Sequence, residues 1–268
     1  MSSVDIAVSR AWQVLQVQPA ALITDVDGTI SRIAPTPEEA FVGEPARTAL
    51  REILPNLALT AVITGRPAAV ARSMVGVEGL TYVGSYALEG AAAATIDPEK
   101  LEDARREVAA LLSPLPCVRL EEKEVSFALH YRECDDRRAA RSFLLEIAAP
   151  IAGRSDAKIV EGKQVLELVP VALPDKGTAL RHLLDEHEVE SVVYFGDDIG
   201  DVAAFRELQA LRETRGLNAL IIAVIDAETD DSVIENADLT LNGVDEVEDV
   251  LTALAAKLSG GEEAWSRE

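Results

Sequence analysis

The stretch AALITDVDGT, residues 20–29, decides how this chain is read. Ala20 to Thr24 form a short apolar run, and Asp25-Val26-Asp27-Gly28-Thr29 follow at once. An apolar run closed by turn residues reads as a buried strand that opens into a loop. The pattern recurs twice. Leu57–Ile63 ends at Thr64-Gly65-Arg66-Pro67, and Ser191–Phe195 ends at Gly196-Asp197-Asp198. Helical spacing fits 4–16, 45–54, 67–74, 175–188, 199–212 and 244–258, and further short strands fit 80–83, 219–225 and 238–241. Strands alternating with helices predict parallel βαβ units, an α/β, Rossmann-like parallel-sheet core.

Composition narrows the partners. The 268 residues carry 25 Lys and Arg against 47 Asp and Glu, a formal charge of −22. Nucleic acid and anionic membrane surfaces need clustered cations, so neither is expected as a partner. A small phosphorylated ligand remains open, since a few local cations or one metal ion can hold it. Only 4% of residues are aromatic, so Ala, Leu, Val and Ile must build the core. No apolar run nears the ~18 residues of a membrane span, and no signal-peptide pattern opens the chain. The expectation is a cytoplasmic monomer. Cys117 and Cys134 stand seventeen apart without a C-x-x-C, which reads as two reduced thiols.

The middle of the chain has another style. Residues 98–112 and 135–149 read as helices, and Lys158–Val169 as a hairpin turning near Glu161-Gly162. Ser126–Arg132 alternates, with Phe127, Leu129 and Tyr131 on one face and Ser126, Ala128, His130 and Arg132 on the other. That is the mark of an antiparallel strand with one solvated side. The expected organisation is a core of 1–90 and 172–268, interrupted by a small α+β domain at 91–171. Pro35 and Pro37 mark an extended loop. The tail from Ser259, with Glu262 and Glu263, reads as a solvated end.

Ligands of an open parallel sheet bind beyond the carboxyl ends of its strands. Asp25, Asp27, Thr64, Gly65, Asp197, Asp198 and Asp201 all follow such ends, and Lys176 opens a helix. A carboxylate there can attack phosphorus and form an aspartyl-phosphate. Phosphate and carboxylates repel, so a hard divalent cation is required, and Mg²⁺ favours a few carboxylate oxygens. Asp25 and Asp197 can supply two. Asp27 is close enough to serve as general acid and then as base. Thr64 offers a hydroxyl to phosphate, Gly65 lets backbone approach, and Lys176 offsets charge in the transition state. D-x-D alone says little in so acidic a chain. The ordered conjunction DVDGT (25–29), TGR (64–66), DKG (175–177) and GDDIGD (196–201) says much more. A calcium loop at Asp226–Asp231 and a P-loop at Lys176 both lack their required residues.

These four motifs resemble the haloacid dehalogenase superfamily of phosphotransferases. The resemblance implies Asp25 as nucleophile, Asp27 as acid and base, and Thr64 and Lys176 as phosphate-binding residues. It implies Mg²⁺ held by Asp25, the Asp27 carbonyl and Asp197, with Asp198 and Asp201 completing the candidate metal set. It also implies that the inserted domain is a cap that closes over substrate. Within the superfamily, LEEKEVSFALHYR (120–132), GKQVLELVP (162–170), GSYALEG (84–90) and GDDIGDVAAF (196–205) are similar to segments of trehalose-6-phosphate phosphatases.

The candidate substrate-binding set is Gly65, Arg66, Glu121, Lys123, His130, Arg132 and Glu167. Read alone, the five cap residues are solvated positions of an antiparallel sheet. The resemblance assigns Glu121, Lys123 and Glu167 to sugar hydroxyls. Some positions depart from the pattern: Tyr86 and Ala87 replace His-Gly, Gly200 and Val202 replace Thr and Glu, and Val169 replaces Arg. The leading expectation is a Mg²⁺-dependent trehalose 6-phosphate phosphatase. The same chemistry on a sucrose 6-phosphate or mannosyl-3-phosphoglycerate type substrate stands beside it. So does a non-catalytic sugar-phosphate-binding regulator.

Overall fold

The computed structural model describes residues 1–34, 36, 39–84, 97–123 and 125–260. The expected loop at Pro35 and Pro37, the Tyr86 and Ala87 part of the GSYALEG segment, and the tail with Glu262 and Glu263 lie outside these. The chain divides into two compact units, Met1–Tyr86 with Asp175–Glu268, and Ala87–Pro174.

The first unit is built on β1 (Ala20–Thr24), β2 (Leu59–Ile63), β3 (Thr81–Val83), β8 (Ser191–Gly196), β9 (Asn218–Ile225) and β10 (Leu239–Asn242). They form one six-stranded sheet in the order β10-β9-β8-β1-β2-β3, every pairing parallel. β1, β2 and β8 are buried along their whole length, as strands covered on both faces must be. Side chains alternate between the faces. Leu22, Val62, Val193 and Ile222 join one core with α1 (Ser3–Leu15), α2 (Glu44–Ile53) and α9 (Gly243–Leu258). On the other face Tyr194 meets Phe205 edge to face, and Phe205 belongs to α7 (Ile199–Arg215). There α7 packs on α6 (Lys176–Glu186).

Register sets up the site. Thr24 pairs with both Val62 and Phe195, so β1, β2 and β8 run out at one level. Asp25 N–H donates to the Phe195 carbonyl, and Thr64 N–H to that of Val83. Asp25, Thr64 and Asp197 therefore leave the sheet along one edge.

The second unit contains α4 (Pro98–Leu111), β4 (Arg119–Glu122), β5 (Phe127–His130), α5 (Arg137–Arg154), β6 (Ala157–Gly162) and β7 (Val165–Pro170). Its four-stranded sheet runs β4-β5-β7-β6, antiparallel throughout. Phe127, Leu129, Leu166 and Leu168 meet Ala104, Val108, Leu144 and Ala148 of the two helices in a separate core. Three expectations change here. The hairpin turns at Lys163-Gln164, because Glu161 and Gly162 still pair with Leu166 and Val165, and Gln164 takes the positive φ of 62°. The far side of β5 is only half solvated: Ser126 and Ala128 are buried, while His130 and Arg132 stay partly exposed. Cys117 and Cys134 are not reduced thiols but a disulfide. Their separation of seventeen hides a hairpin: Arg119 pairs with His130, which brings the flanking cysteines to the same end with Cα atoms 5.1 Å apart.

Among the described residues no helix is long and apolar enough to cross a membrane. The disulfide makes a measurable difference. Closing a loop of about this size is worth about 3 kcal/mol, so Cys134→Ser should lower the urea midpoint of the second unit accordingly. A midpoint equal to that of the unsubstituted protein contradicts the bridge.

Candidate active site

Asp25 is the first residue beyond β1 and is only 5% exposed. Its Oδ1 lies 3.1 Å from Lys176 Nζ. Lys176 begins α6, whose N-terminus Asp175 caps by accepting from Thr178 N–H. The ammonium is buried too and donates to Asp201 Oδ1 at 2.8 Å. Asp201 has no exposed surface. Its Oδ1 also accepts from the Tyr194 hydroxyl at 2.8 Å, and its Oδ2 from the backbone N–H groups of Asp197 and Asp198 at 3.1 and 3.4 Å. Four donors match the four lone-pair sites of a carboxylate. Asp201 thus ties the start of α6 to the end of β8.

Burial pushes the Asp25 carboxyl well above the ordinary range. Lys176 opposes this, and Asp201, Asp197 and Asp198 add to it. Burial pulls the Lys176 ammonium down, but Asp201 and Asp25 outweigh it and hold the group well above the usual lysine value. Lys176 is therefore charged. Burial, reinforced by Asp201, keeps the Tyr194 phenol protonated and so a donor.

Oxygens of Asp25, Asp197 and Asp201 lie within 4.8 Å of one another, all three residues buried. Three carboxylates against one ammonium leave net negative charge in a dry place, which a divalent cation would offset. Hard oxygen donors suit such an ion. Backbone geometry shapes the place. Gly28 has φ +84°, and a Cβ there would stand 1.9 Å from Asp197 Oδ2. Only a glycine lets the loop turn and Asp197 settle against it. Thr29 Oγ1 donates to the other oxygen, Asp197 Oδ1, at 3.3 Å. Asp198 does something else: it caps α7, accepting from Gly200 N–H at 2.7 Å.

Asp27 faces Arg66. Nε and Nη2 of the guanidinium donate to its two oxygens at 2.5 and 2.8 Å, a bidentate pair. Arg66 N–H also donates to Thr64 Oγ1 at 3.2 Å, so the loop after β2 is braced internally. Arg66, expected among the substrate contacts, is here the partner of Asp27. Gly65 lies between these two braced residues.

The second unit gathers its own cluster on the sheet face opposite its helices. Lys123 Nζ donates to Glu167 Oε2 at 2.9 Å, and Ser126 Oγ to Glu167 Oε1. His130 Nε2 shares a hydrogen bond with Glu121. That bond holds the Glu121 carboxyl below the ordinary range against the upward push of burial. Arg132 turns to the Lys163 carbonyl, at 3.1 Å. Sequence reasoning gives no role to Tyr194 or Ser126. A tyrosine inside a wholly buried strand was the available signal, because its hydroxyl must find an acceptor.

Comparison with known proteins fits this geometry. A family model described as trehalose-phosphatase matches residues 23–245. The trehalose-phosphate phosphatase of Mycobacterium marinum is 35% identical over 210 residues, covering 71% of this chain and 52% of that protein. That of Mycobacterium ulcerans gives the same figures. The chain spans about half the length of these curated relatives. The solved C-terminal domain of the Candida albicans trehalose-6-phosphate phosphatase has a TM-score of 0.80 at 20% identity, over 95% of this chain and 97% of that one. At that identity the likeness is one of fold. The family match starts inside β1, ends inside α9 and includes both side-chain clusters, so the chain belongs to the trehalose-phosphatase family.

Proposed function

We propose that the chain hydrolyses trehalose 6-phosphate to trehalose and phosphate, by way of an aspartyl-phosphate on Asp25. The observation that carries this reading is the buried trio of Asp25, Lys176 and Asp197 at the carboxyl edge of the sheet. An Asp25 oxygen attacks phosphorus, and the bond to the sugar oxygen breaks. Asp27 gives that oxygen a proton as it leaves, and later takes one from the water that attacks phosphorus, breaking the bond to Asp25 and freeing phosphate. The Arg66 fork sets the direction of the Asp27 carboxylate. Lys176, charged and fixed, meets the negative charge that builds on the phosphoryl group. Thr64 and Gly65 hold phosphate oxygens from the neighbouring loop. Asp25, Asp197 and the Asp27 carbonyl would hold Mg²⁺, which offsets repulsion between phosphate and carboxylates. Residues 91–171 act as the cap that chooses the sugar, with Glu121, Lys123 and Glu167 exchanging hydrogen bonds with its hydroxyls.

The deciding experiment is phosphate release from a panel of sugar phosphates, with and without a divalent cation. Trehalose 6-phosphate should be the best substrate, and chelation should stop turnover. A different best sugar moves the specificity, and activity unaffected by chelation removes the metal. Asp25→Asn should cost several orders of magnitude in kcat, as loss of other nucleophiles does. Near-normal turnover by this variant would end the role given to Asp25. Asp27→Asn should harm a sugar phosphate far more than an aryl phosphate, whose phenolate hardly needs a proton to leave. Equal losses on both would contradict Asp27 as leaving-group acid. Glu167→Ala should lower kcat/KM for trehalose 6-phosphate by about tenfold to a hundredfold, as loss of a charged hydrogen bond does. The same loss on an aryl phosphate would argue that Glu167 serves folding instead.

A further inference from the structure

Glu167 is an unusual carboxylate for a sheet face, only 7% exposed. So little water reaches it that protein donors must set its direction. Lys123 and Ser126 donate to separate oxygens of it. Lys123 takes Oε2, but its side chain is a quarter exposed and swings on four rotatable bonds. Ser126 takes Oε1 through a hydroxyl one bond from its Cβ.

Backbone register explains why Ser126 can do this. Ala128 of β5 pairs with Glu167 of β7, so Ser126, two residues earlier on the same face, is the diagonal neighbour of Glu167. His130, two residues later, is the other diagonal and holds Glu121 across Ala128. Ser126 is fixed in turn: it is 5% exposed, and its carbonyl accepts from Lys123 N–H at 3.0 Å. The hydroxyl is thus anchored on its own strand, while the ammonium is tethered only by a long chain.

We propose that Ser126 is a positioning residue for substrate choice: it aims the Glu167 carboxylate so that a sugar hydroxyl can donate to it. The proposal rests on the reading of Glu167 as a sugar acceptor. Without the serine hydroxyl, the carboxylate loses the partner on its shortest tether, and the sugar must turn it back on binding. Affinity for the sugar suffers, and phosphoryl transfer in the other unit does not.

The test is steady-state kinetics of Ser126→Ala, Ser126→Thr, Glu167→Ala and the Ser126→Ala/Glu167→Ala double variant. Substrates are trehalose 6-phosphate and p-nitrophenyl phosphate. Ser126→Ala should raise KM for trehalose 6-phosphate by about three- to tenfold, less than loss of Glu167 itself, because the acceptor stays and only its direction is lost. Its kcat and its aryl phosphate kinetics should stay within about twofold, and Ser126→Thr should recover the KM. In the Glu167→Ala background the serine change should add nothing, because its only route is through that carboxylate. Unchanged sugar kinetics in Ser126→Ala, beside a clear loss in Glu167→Ala, overturn the proposal and leave the Glu167 reading standing. Equal losses on both substrates, or additive effects in the double variant, assign Ser126 to folding and overturn it as well. A Glu167→Ala enzyme indifferent to trehalose 6-phosphate overturns the reading beneath, and the proposal with it.

Discussion

A lysine ammonium that is almost wholly out of water governs the first unit. Lys176 can stay charged only among acceptors, and Asp25 and Asp201 supply them. Asp201 then brings its own demands, met by the Tyr194 hydroxyl and two backbone N–H groups. Residues 25, 176, 194, 197, 198 and 201 are drawn to one point from the ends of two strands and the starts of two helices. Removing any one partner leaves a buried charge or a buried acceptor with one donor fewer, so the set stands or falls together.

The two units position side chains by different means. In the first, shared register ends β1, β2 and β8 at one level, and loops with special geometry, Gly28 above all, carry residues off the strand tips. In the second, strand ends supply only Lys123 and Ser126, just outside β4 and β5. A flat antiparallel face lines up Glu121, Ala128 and Glu167 in one cross-strand row, with Ala128 small enough to let its neighbours' side chains gather above it. Strand tips give sharp, rigid placement, which suits bond breaking. A sheet face gives a broad platform, which suits recognition of many hydroxyls.

Much of this was legible in sequence, for physical reasons. β1, β2 and β8 are mainly apolar runs because they are covered on both faces, and turn residues end each of them. The DVDGT and GDDIGD loops follow from those ends. What escaped was three-dimensional. Lys176 and Asp201 are 25 residues apart, and nothing local pairs them. The Arg66 fork on Asp27 crosses from one strand end to the next, so no local pattern announces it. The disulfide was missed because a separation of seventeen means little until Arg119 is known to lie opposite His130. β4 itself had no signal, since Arg119-Leu120-Glu121-Glu122 is neither apolar nor alternating in the ordinary way.

Among the described residues that same strand lies at the margin of its sheet, with β5 on one side only. An open margin offers unpaired backbone groups to any other strand that meets it, and this is a common route to aggregation. β4 is poor bait. It is four residues long, three of them charged, and the cysteine bridge pins its start so that it cannot peel outward and lengthen. A construction that hides the strand from a reader of the sequence also hides its edge from other chains.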